Sequence, residues 1–350
     1  STYYSELAFI DTLSPGLSYN KNDILIEFFS DAACTNLLDS WDESKGYFKV
    51  SYSSTSKNES VMTIEMTAQG LNEINTNKNE VTTDKAVTRL EFPKLKGGNS
   101  IIRVYRDGNS KQYDPDNVNY AVEWDCDKKS QRWSCYIITT KNRAKNTNRY
   151  YSESNQYPND PALTSVQRWE KDYIYGSGFD HGHICNSQDR LYSANANYQT
   201  FYLTNMQPQY KVFNGTHPDH KFEGLWIKME NYLHGFKLND TDTMYVCKGG
   251  TIEKKNILMR IQNKLIVPKY FFVAVLVKKM VNGQAYYKSI GMWFPHTNVY
   301  HGDDKLSDYT MSIKDLEAKT GIDFFCNLPD NIEQDVESKK ILSDWGSIEK

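Results

Sequence analysis

The stretch Asp180-His181-Gly182-His183 holds two of the seven histidines of this 350-residue chain within four positions. Histidine is the side chain whose ordinary pKa lies closest to neutrality, so it readily accepts and returns a proton at pH 7. Residues 173–179 are expected to approach this stretch as a strand, and a polar run begins at Asn186. The density of histidine here indicates a site of chemistry.

Polar side chains follow this stretch within fifty residues. They are amides and one carboxylate: Asn205, Gln209, Asn214 and Glu230. A set of histidine, amide and carboxylate groups without cysteine ligands is typical of a hydrated Mg²⁺ ion rather than of a closed zinc site. A zinc site built from Asp180, His181 and His183 is the alternative.

The chain downstream of this stretch mixes helices and strands. A helix is predicted at 222–233 from its apolar spacing, and a second helix begins at Ser312 with a capping pattern and ends at Gly321. Strands are predicted at 243–248, 270–278 and 285–293, the last two joined as a hairpin through 281–283. These elements predict an α+β domain.

The front of the chain has a different pattern. Short strands are predicted at 24–30, 47–53, 61–68, 86–92 and 100–106, separated by polar turns, and no histidine occurs before His181. The polar stretch 107–117 marks a boundary, so the predicted domains are 1–108 and 109–350. The first is expected to be a small antiparallel β-sandwich that serves as a spacer or binding module.

Composition narrows the functional classes. The formal net charge of -3 argues against a nucleic-acid binder that relies on bulk positive charge. Basic residues nevertheless cluster at 128–149 and at 248–269, where a solvated face and a phosphate-binding surface are both open interpretations. The chain contains no apolar run of the roughly 18 residues that a membrane span needs.

The six cysteines are spread without a CxxC pair, which argues against a zinc ribbon or a thioredoxin-like site. Cys126 and Cys135 flank a predicted hairpin turn, so a disulfide between them is one of the open pairings. The sequence begins at Ser1 without a recognisable export signal, and a signal that was removed before this numbering is the favoured explanation.

Several ordered motifs carry a family resemblance. The run 179–184, the TNMQPQ stretch at 204–209, Asn214, and the helix with Trp226 and Glu230 resemble the DNA/RNA non-specific endonucleases, the ββα-metal family of the Serratia nuclease. The similarity extends to 245–252 and 320–325, so it covers roughly Tyr113 to the C-terminus. It implies a ββα-metal nuclease domain with a central antiparallel sheet, preceded by the small all-β sandwich-like domain.

The resemblance also implies roles for single residues. His183 matches the general base, Asn214 matches the one direct protein ligand of the metal, and Glu230 matches the glutamate that holds the metal's waters. Asn205 and Gln209 match residues that order the site. His181 departs from the family, because most members have arginine at this place, and its contribution to gripping phosphate is left open.

A second departure from the family is the stretch 215–222, which is longer than usual and contains His217 and His220. These two histidines are either additional metal contacts or exposed loop residues without a role.

The resemblance implies a Mg²⁺-dependent endonuclease, with Mn²⁺ as the alternative ion, that cuts DNA and RNA with little sequence preference and leaves 5′-phosphate ends. The competing hypothesis is a catalytically decayed nuclease scaffold that binds nucleic acid or glycan. The first domain is expected to bind a surface or protein ligand, and the oligomeric state is left open. The expected location is secreted, periplasmic or on the cell surface, as is common for such nucleases.

Overall fold

The computed structural model describes residues 19–29, 37–38, 47–54, 61–67, 74–81, 84–108, 111–215 and 223–349, with backbone alone for those before residue 74. Two compact units divide the chain. One comprises Ser1–Asn77 and Leu328–Asp335, and the other comprises Lys78–Asn327 and Val336–Lys350. None of the described helices is long and apolar enough to cross a membrane.

The first unit contains a four-stranded antiparallel sheet. Its strands are β1 (Tyr19–Phe29), β2 (Leu37–Leu38), β3 (Tyr47–Ser54) and β4 (Val61–Thr67), in the order β2-β1-β3-β4. The predicted strands at 24–30, 47–53 and 61–68 are therefore confirmed. The described strands of this unit form one sheet, so the predicted two-sheet sandwich stays a prediction.

The second unit is built on a seven-stranded antiparallel sheet and two smaller ribbons. The strands of the whole unit, in chain order, are β5 (Ser100–Arg106), β6 (Val118–Asp125), β7 (Ser130–Ile138), β8 (Asp180–His183), β9 (Met206–Gln209), β10 (Thr243–Gly250), β11 (Ile257–Ile261), β12 (Leu265–Pro268), β13 (Tyr270–Val281), β14 (Gln284–Pro295) and β15 (Thr310–Met311). The large sheet has the order β15-β14-β13-β10-β7-β6-β5, while β8 pairs with β9 and β11 pairs with β12 in two separate ribbons. This confirms the predicted α+β fold with a central antiparallel sheet.

Two helices pack on opposite faces of the large sheet. The described helices of the chain are α1 (Ala194–Gln199), α2 (Lys211–Asn214), α3 (Leu225–Gly235), α4 (Ile313–Thr320) and α5 (Asp330–Glu337), and residues 330–335 of α5 belong to the first unit. Trp226 and Met229 of α3 lie in the main apolar core together with Val273 of β13 and Met292 of β14. α4 packs on the other side of β14, because Leu316 contacts the strand at Gly291 and successive strand residues face opposite sides. Short 3₁₀ helices occur at Lys85–Thr88, Ser187–Arg190, Leu203–Asn205, Lys254–Asn256, Leu306–Tyr309 and Leu342–Glu349.

Local signals in the sequence placed several of these elements correctly. The β13–β14 hairpin turns at Asn282 and Gly283, which both have positive φ angles, 51° and 80°. Such a turn suits the right-handed twist of paired strands. Ser312 caps α4 by accepting a hydrogen bond from the backbone N–H of Asp315, and Gly321 ends the helix with a φ of 70°. The helix predicted at 222–233 corresponds to α3.

Other expectations were wrong. The segment predicted as a strand at 86–92 begins instead with the 3₁₀ turn Lys85–Thr88, because the Asp84 carboxylate accepts a hydrogen bond from the backbone N–H of Ala86. The approach at 173–179 consists of turns and bends, and the strand begins only at Asp180. The strand Ser100–Arg106, assigned from sequence to the front domain, pairs along its length with β6 and belongs to the large sheet.

The disulfide between Cys126 and Cys135, which the sequence left as one of the open pairings, does not form. Both thiols are free and buried. In the β6–β7 pair the residue opposite Cys135 is Ala121, so Cys126 lies beyond the end of β6 and out of register with Cys135. On its other side Cys135 faces Cys247 of β10, which is free as well.

Candidate active site

The histidine-rich stretch forms strand β8, which pairs antiparallel with β9. Gly182 lies opposite Gln207, and a Cβ atom added at Gly182 would stand 2.3 Å from Cδ of Gln209. Only glycine allows this close approach. The β8–β9 ribbon is followed by α2 and α3, so the two strands and the helices that carry Asn214 and Glu230 form one continuous ββα unit.

His183 lies at the base of a cleft on this unit. Its side chain is buried, with the residue 8% exposed, and Nε2 has no hydrogen-bond partner among the described residues. The ring meets Phe201 edge to face at 4.7 Å, and its backbone carbonyl accepts a hydrogen bond of 3.0 Å from Nε1 of Trp226. Burial lowers the pKa of His183 well below its ordinary value, and the charge of Arg149 lowers it further. The imidazole is therefore neutral at pH 7, with Nε2 as a free acceptor or donor.

His181 is held away from His183 by two neighbours. Its Nε2 lies 2.6 Å from Oδ2 of Asp172, and its ring stacks on Tyr157 with a centroid distance of 3.7 Å. Burial by itself would raise the pKa of Asp172, but the hydrogen bond and charge of His181 outweigh it and lower that pKa. The position that holds arginine in most family members is thus an imidazole fixed by a carboxylate.

Asn214 and Glu230 face the same cleft from α2 and α3. Nδ2 of Asn214 lies 3.2 Å from Oδ2 of Asp180. Because this contact uses the amide nitrogen, the amide oxygen of Asn214 is left to accept other contacts.

Glu230 lies beside a buried lysine, with 12% of its own side chain exposed. Burial raises its pKa to about 7, although Lys248 opposes that shift. Nζ of Lys248 lies 3.7 Å from Oε1 of Glu230, and the Lys248 side chain is 0% exposed. The ammonium lies 5.2 Å from the ring centroids of both Tyr136 and Trp226. Such aromatic contacts stabilise a cation that is withdrawn from water.

Arg149 completes the cleft. Its Nη1 donates a 2.8 Å hydrogen bond to Oγ of Ser187, and its guanidinium lies 5.1 Å from the Phe201 ring. Arg149 lines the cleft together with His181, His183 and Glu230. A planar cation at this place suits the recognition of a phosphate.

Two of the predicted residues lie behind the cleft rather than on its lining. Asn205 is fully buried, where its Nδ2 donates to the carbonyls of Cys185 and Thr200 at 3.0 and 2.8 Å and its Oδ1 accepts from the Cys185 N–H at 2.8 Å. Gln209 is fully buried over Gly182, and neither atom of its amide has a partner among the described residues. Asn205 therefore orders the chain that leaves β8.

The structure thus brings Asp180, His181, His183, Asn214 and Glu230 to one cleft. Four residues of the site and its supports were not predicted from the sequence: Arg149, Lys248, Asp172 and Tyr157. Arg149 and Lys248 occur in the two basic clusters, but clustering did not distinguish them from surface lysines and arginines. His217 and His220 lie outside the described residues.

The donors present fit a hard cation. Over the described part of the chain, no three or more His, Cys, Asp or Glu side chains form a group that holds a metal ion, so the zinc alternative at Asp180, His181 and His183 is not supported. The physical reason is that Asp172 and Tyr157 hold His181, while Asp180 contacts Asn214. What the cleft offers is the amide oxygen of Asn214 and the carboxylate of Glu230, which are ligands that Mg²⁺ accepts together with water.

The sequence model of the DNA/RNA non-specific endonucleases matches residues 97–331, which is more than half of the chain. The chain belongs to this family. The match includes β5. It therefore begins before residue 109, which was the predicted start of the nuclease domain. All the residues discussed at the cleft lie inside the matched range.

Individual family members show the same relationship. A mitochondrial EXOG nuclease of Xenopus laevis is 25% identical over 221 residues, which are 60% of this chain and 58% of the relative. A nuclease of a Nostoc species is 30% identical over 171 residues, which are 47% of this chain and 57% of the relative. The matched segments thus span somewhat more than half the length of these curated relatives.

One solved structure has a fold similar to that of this chain. The chain of EndoG in a crystal structure of the EndoG/EndoGI complex, described as showing the mechanism of EndoG inhibition, aligns with a TM-score of 0.51 and 18% identity. The alignment covers 71% of this chain and 94% of that chain. The endonuclease fold of the second unit is therefore shared at low identity.

Proposed function

We propose that this protein is a metal-dependent endonuclease that hydrolyses phosphodiester bonds of DNA and RNA with little sequence preference. The observation that carries the proposal is the free Nε2 of His183, a neutral imidazole at the base of a cleft lined by Arg149, Asn214 and Glu230. Membership of the non-specific endonuclease family supports the same activity. The product ends are proposed to be 5′-phosphates.

His183 would act as the general base. Its Nε2 accepts a proton from a water molecule while the water oxygen forms a bond to phosphorus. The bond between phosphorus and the 3′ oxygen breaks, so the phosphate stays on the 5′ end of the next nucleotide. A base of this kind contributes roughly 10²–10⁴-fold to a rate. The depressed pKa keeps His183 unprotonated and therefore ready at neutral pH.

Arg149 would bind the non-bridging oxygens of the scissile phosphate. Its guanidinium is held by Ser187 and by the Phe201 ring, so it is oriented before substrate arrives. A preorganised cation stabilises the negative charge that develops on the phosphate in the transition state. Because Arg149 and His183 address phosphate and water rather than base edges, this arrangement is consistent with cutting that ignores sequence.

Asn214 and Glu230 would hold the divalent cation, Mg²⁺ with Mn²⁺ as the alternative. The Asp180 contact occupies Nδ2 of Asn214 and so leaves its oxygen for a direct bond, while Glu230 would hold waters of the ion. When bound, the ion supplies positive charge close to the phosphate and the leaving oxygen. Lys248 keeps part of the Glu230 population ionised near pH 7, which the carboxylate needs in order to serve this purpose.

The test is degradation of plasmid DNA, single-stranded DNA and RNA by the wild type and by His183→Ala, each with Mg²⁺, Mn²⁺, Ca²⁺ or EDTA. We expect turnover by the wild type with Mg²⁺ or Mn²⁺, loss of turnover with EDTA, and a loss of at least ~10²-fold in His183→Ala. His301→Ala is the matched control, because His301 pairs with Asp304 outside the cleft. Binding of nucleic acid without turnover under all conditions would instead support the decayed-scaffold hypothesis.

We also propose that the protein acts in a compartment that does not hold the genome of its host. An enzyme that cuts without sequence preference is harmful beside that genome, and several of the relatives are named as mitochondrial nucleases. Export to the periplasm, the cell surface or the medium would provide the same separation. Fractionation of the native host with an antibody against the second unit tests this proposal, and recovery in the compartment that holds the host genome would contradict it.

A further inference from the structure

A basic and aromatic surface lies next to the cleft. It is centred on Trp169 and Tyr173 and carries four cationic side chains: Lys129, Arg168, Lys171 and Lys264. Trp169, Tyr173, Lys129, Arg168 and Lys171 line one pocket, together with Leu265 beside Lys264. We call this group the Trp169 surface.

The two rings hold the ammonium groups in place. Nζ of Lys129 lies 5.0 Å from the Trp169 ring centroid, and Nζ of Lys264 lies 5.9 Å from that ring and 5.5 Å from the Tyr173 ring. Nζ of Lys171 lies 5.0 Å from the Tyr173 ring. The rings themselves meet edge to face at 5.6 Å. Cation–π contacts of this geometry position several ammonium groups around one pocket.

The anions near this surface are largely used elsewhere. Asp160 in the pocket bonds Arg103 and Tyr105, and Asp172 bonds His181. Glu170 pairs with Lys264 at 2.7 Å. Within the described residues no carboxylate lies within ion-pair distance of Lys129, Arg168 or Lys171, so the surface keeps a positive charge. Three like charges without counterions, beside a fourth that is paired with Glu170, suit a polyanionic ligand.

A further donor is unsatisfied. The indole Nε1 of Trp169 is buried and finds no acceptor among the described residues. A buried donor without an acceptor is destabilising, so an acceptor supplied by a ligand would improve the site. This observation is independent of the lysines and points to a ligand that carries oxygen acceptors.

The Trp169 surface is continuous with the cleft. Asp172 lines the pocket and holds His181, and Ile174 lines both the pocket and the cleft. Tyr175 follows on the cleft side with 83% of its surface exposed. The loop from Trp169 to Tyr175 therefore borders both, with its cationic groups on one side and the exposed tyrosine on the other.

We propose that the Trp169 surface binds the phosphate backbone of the substrate strand outside the scissile bond, with Tyr175 providing a ring for a base to stack on. This inference rests on the proposed function, because it names a second subsite for the same substrate. Phosphates bind the ammonium and guanidinium groups, and a phosphate or sugar oxygen accepts from Trp169. Backbone cations combined with an exposed ring are typical of proteins that track single strands.

The test uses the His183→Ala protein in EDTA, so that no substrate is cut, and measures its binding to a labelled 20-nucleotide single strand and to a dinucleotide. It compares this protein with a variant that carries Lys129→Ala and Lys264→Ala in addition. We expect ~10-fold weaker binding of the 20-mer and a salt slope smaller by about 1.4, since each phosphate contact on a single strand contributes about 0.7. Dinucleotide binding should not change, because it occupies the cleft alone.

The matched control is Lys319→Ala on α4. This change removes an ammonium that lies 5.4 Å from the ring of Trp293. It should leave 20-mer binding unchanged. Glu170→Gln provides a second test at an exposed position, because it frees Lys264 and should strengthen 20-mer binding. Unchanged affinity and salt slope in both variants would overturn the proposal. If the wild type does not cut but these variants alter binding, the proposed activity fails while this subsite stands.

Discussion

Nζ of Lys248 lies 3.7 Å from Oε1 of Glu230, and neither of these two atoms has a hydrogen-bond partner among the described residues. The lysine comes from β10 in the middle of the large sheet, and the glutamate comes from α3 above it. An ammonium in such a place is tolerated because two aromatic rings and a carboxylate surround it. This pair determines the charge that Glu230 presents to the cleft.

Lys248→Met is expected to make metal binding more sensitive to acid. Burial raises the pKa of Glu230 to about 7, and Lys248 opposes that shift, so removing the lysine raises the pKa further. Because a cation needs the ionised carboxylate, the pH below which Mg²⁺ affinity is lost should move upward. Calorimetric titration with Mg²⁺ between pH 6 and pH 9 checks this, with Lys319→Met as the control. Superimposable pH profiles for variant and wild type would show that Lys248 does not act on Glu230.

The pH–rate profile should retain activity well into the acid range when Mg²⁺ is saturating. Burial and the charge of Arg149 lower the pKa of His183 well below 6.5, so the base gains its proton only at a correspondingly lower pH. A histidine with a lowered pKa stays neutral and active as a base at every pH above that pKa. Activity is lost only when the pH falls below it. A histidine with an ordinary pKa would give a decline below about pH 6, and the burial of His183 moves that decline downward. Because burial is the larger cause of the depressed pKa, Arg149→Gln should shift the acid limb of kcat/KM only part of the way back toward pH 6.5. An unshifted limb would show that the charge of Arg149 does not act on the titrating base.

Gly182→Ala should disrupt the β8–β9 ribbon. A Cβ atom at this position would lie 2.3 Å from Cδ of Gln209, so one of the two strands must move. Overpacking of this kind typically costs about 1–3 kcal/mol of unfolding free energy, and we expect activity to fall with it. Thermal unfolding and nuclease assays measure the two effects.

Two further variants isolate the cause of the Gly182 effect. Gly182→Ala combined with Gln209→Ala should recover part of the lost stability, because the truncated side chain leaves room for the new methyl group. Gly235→Ala is the control, since a Cβ atom there meets nothing within 4 Å. Equal loss in the single and double variants would mean that Gln209 is not the obstacle.

His181→Arg is expected to raise activity and to reduce its sensitivity to salt. The Asp172 carboxylate that holds His181 at 2.6 Å also suits a guanidinium, and Tyr157 offers a ring for it to stack on. The variant would add a permanent positive charge at the cleft. Turnover measured across a salt series, with His181→Gln as the neutral control, checks this. If arginine and glutamine give the same rates as the wild type, the position lies off the substrate path.

Prediction from sequence succeeded where the determining interactions are local. The turn at Asn282 and Gly283, the cap at Ser312 and the stop at Gly321 each depend on a few adjacent residues, and each is present in the structure. Local signals failed at 86–92, where apolar residues matched a strand but the Asp84 carboxylate stabilises a 3₁₀ turn. The pairing of β5 with β6 was missed because strand partners are chosen by long-range register, which a composition boundary does not report.

The candidate site divides in the same way. Sequence by itself determined the family, the identity of His183, Asn214 and Glu230 as candidates, and the preference for an oxygen-liganded cation, because motif order and side-chain chemistry are written along the chain. Tertiary structure alone decided that Arg149 lines this cleft, that Lys248 lies against Glu230, and that Asp172 and Tyr157 hold His181. Those residues are 9 to 34 positions from the residues on which they act, so only the folded chain brings their charges close enough to shift a pKa or hold a ring.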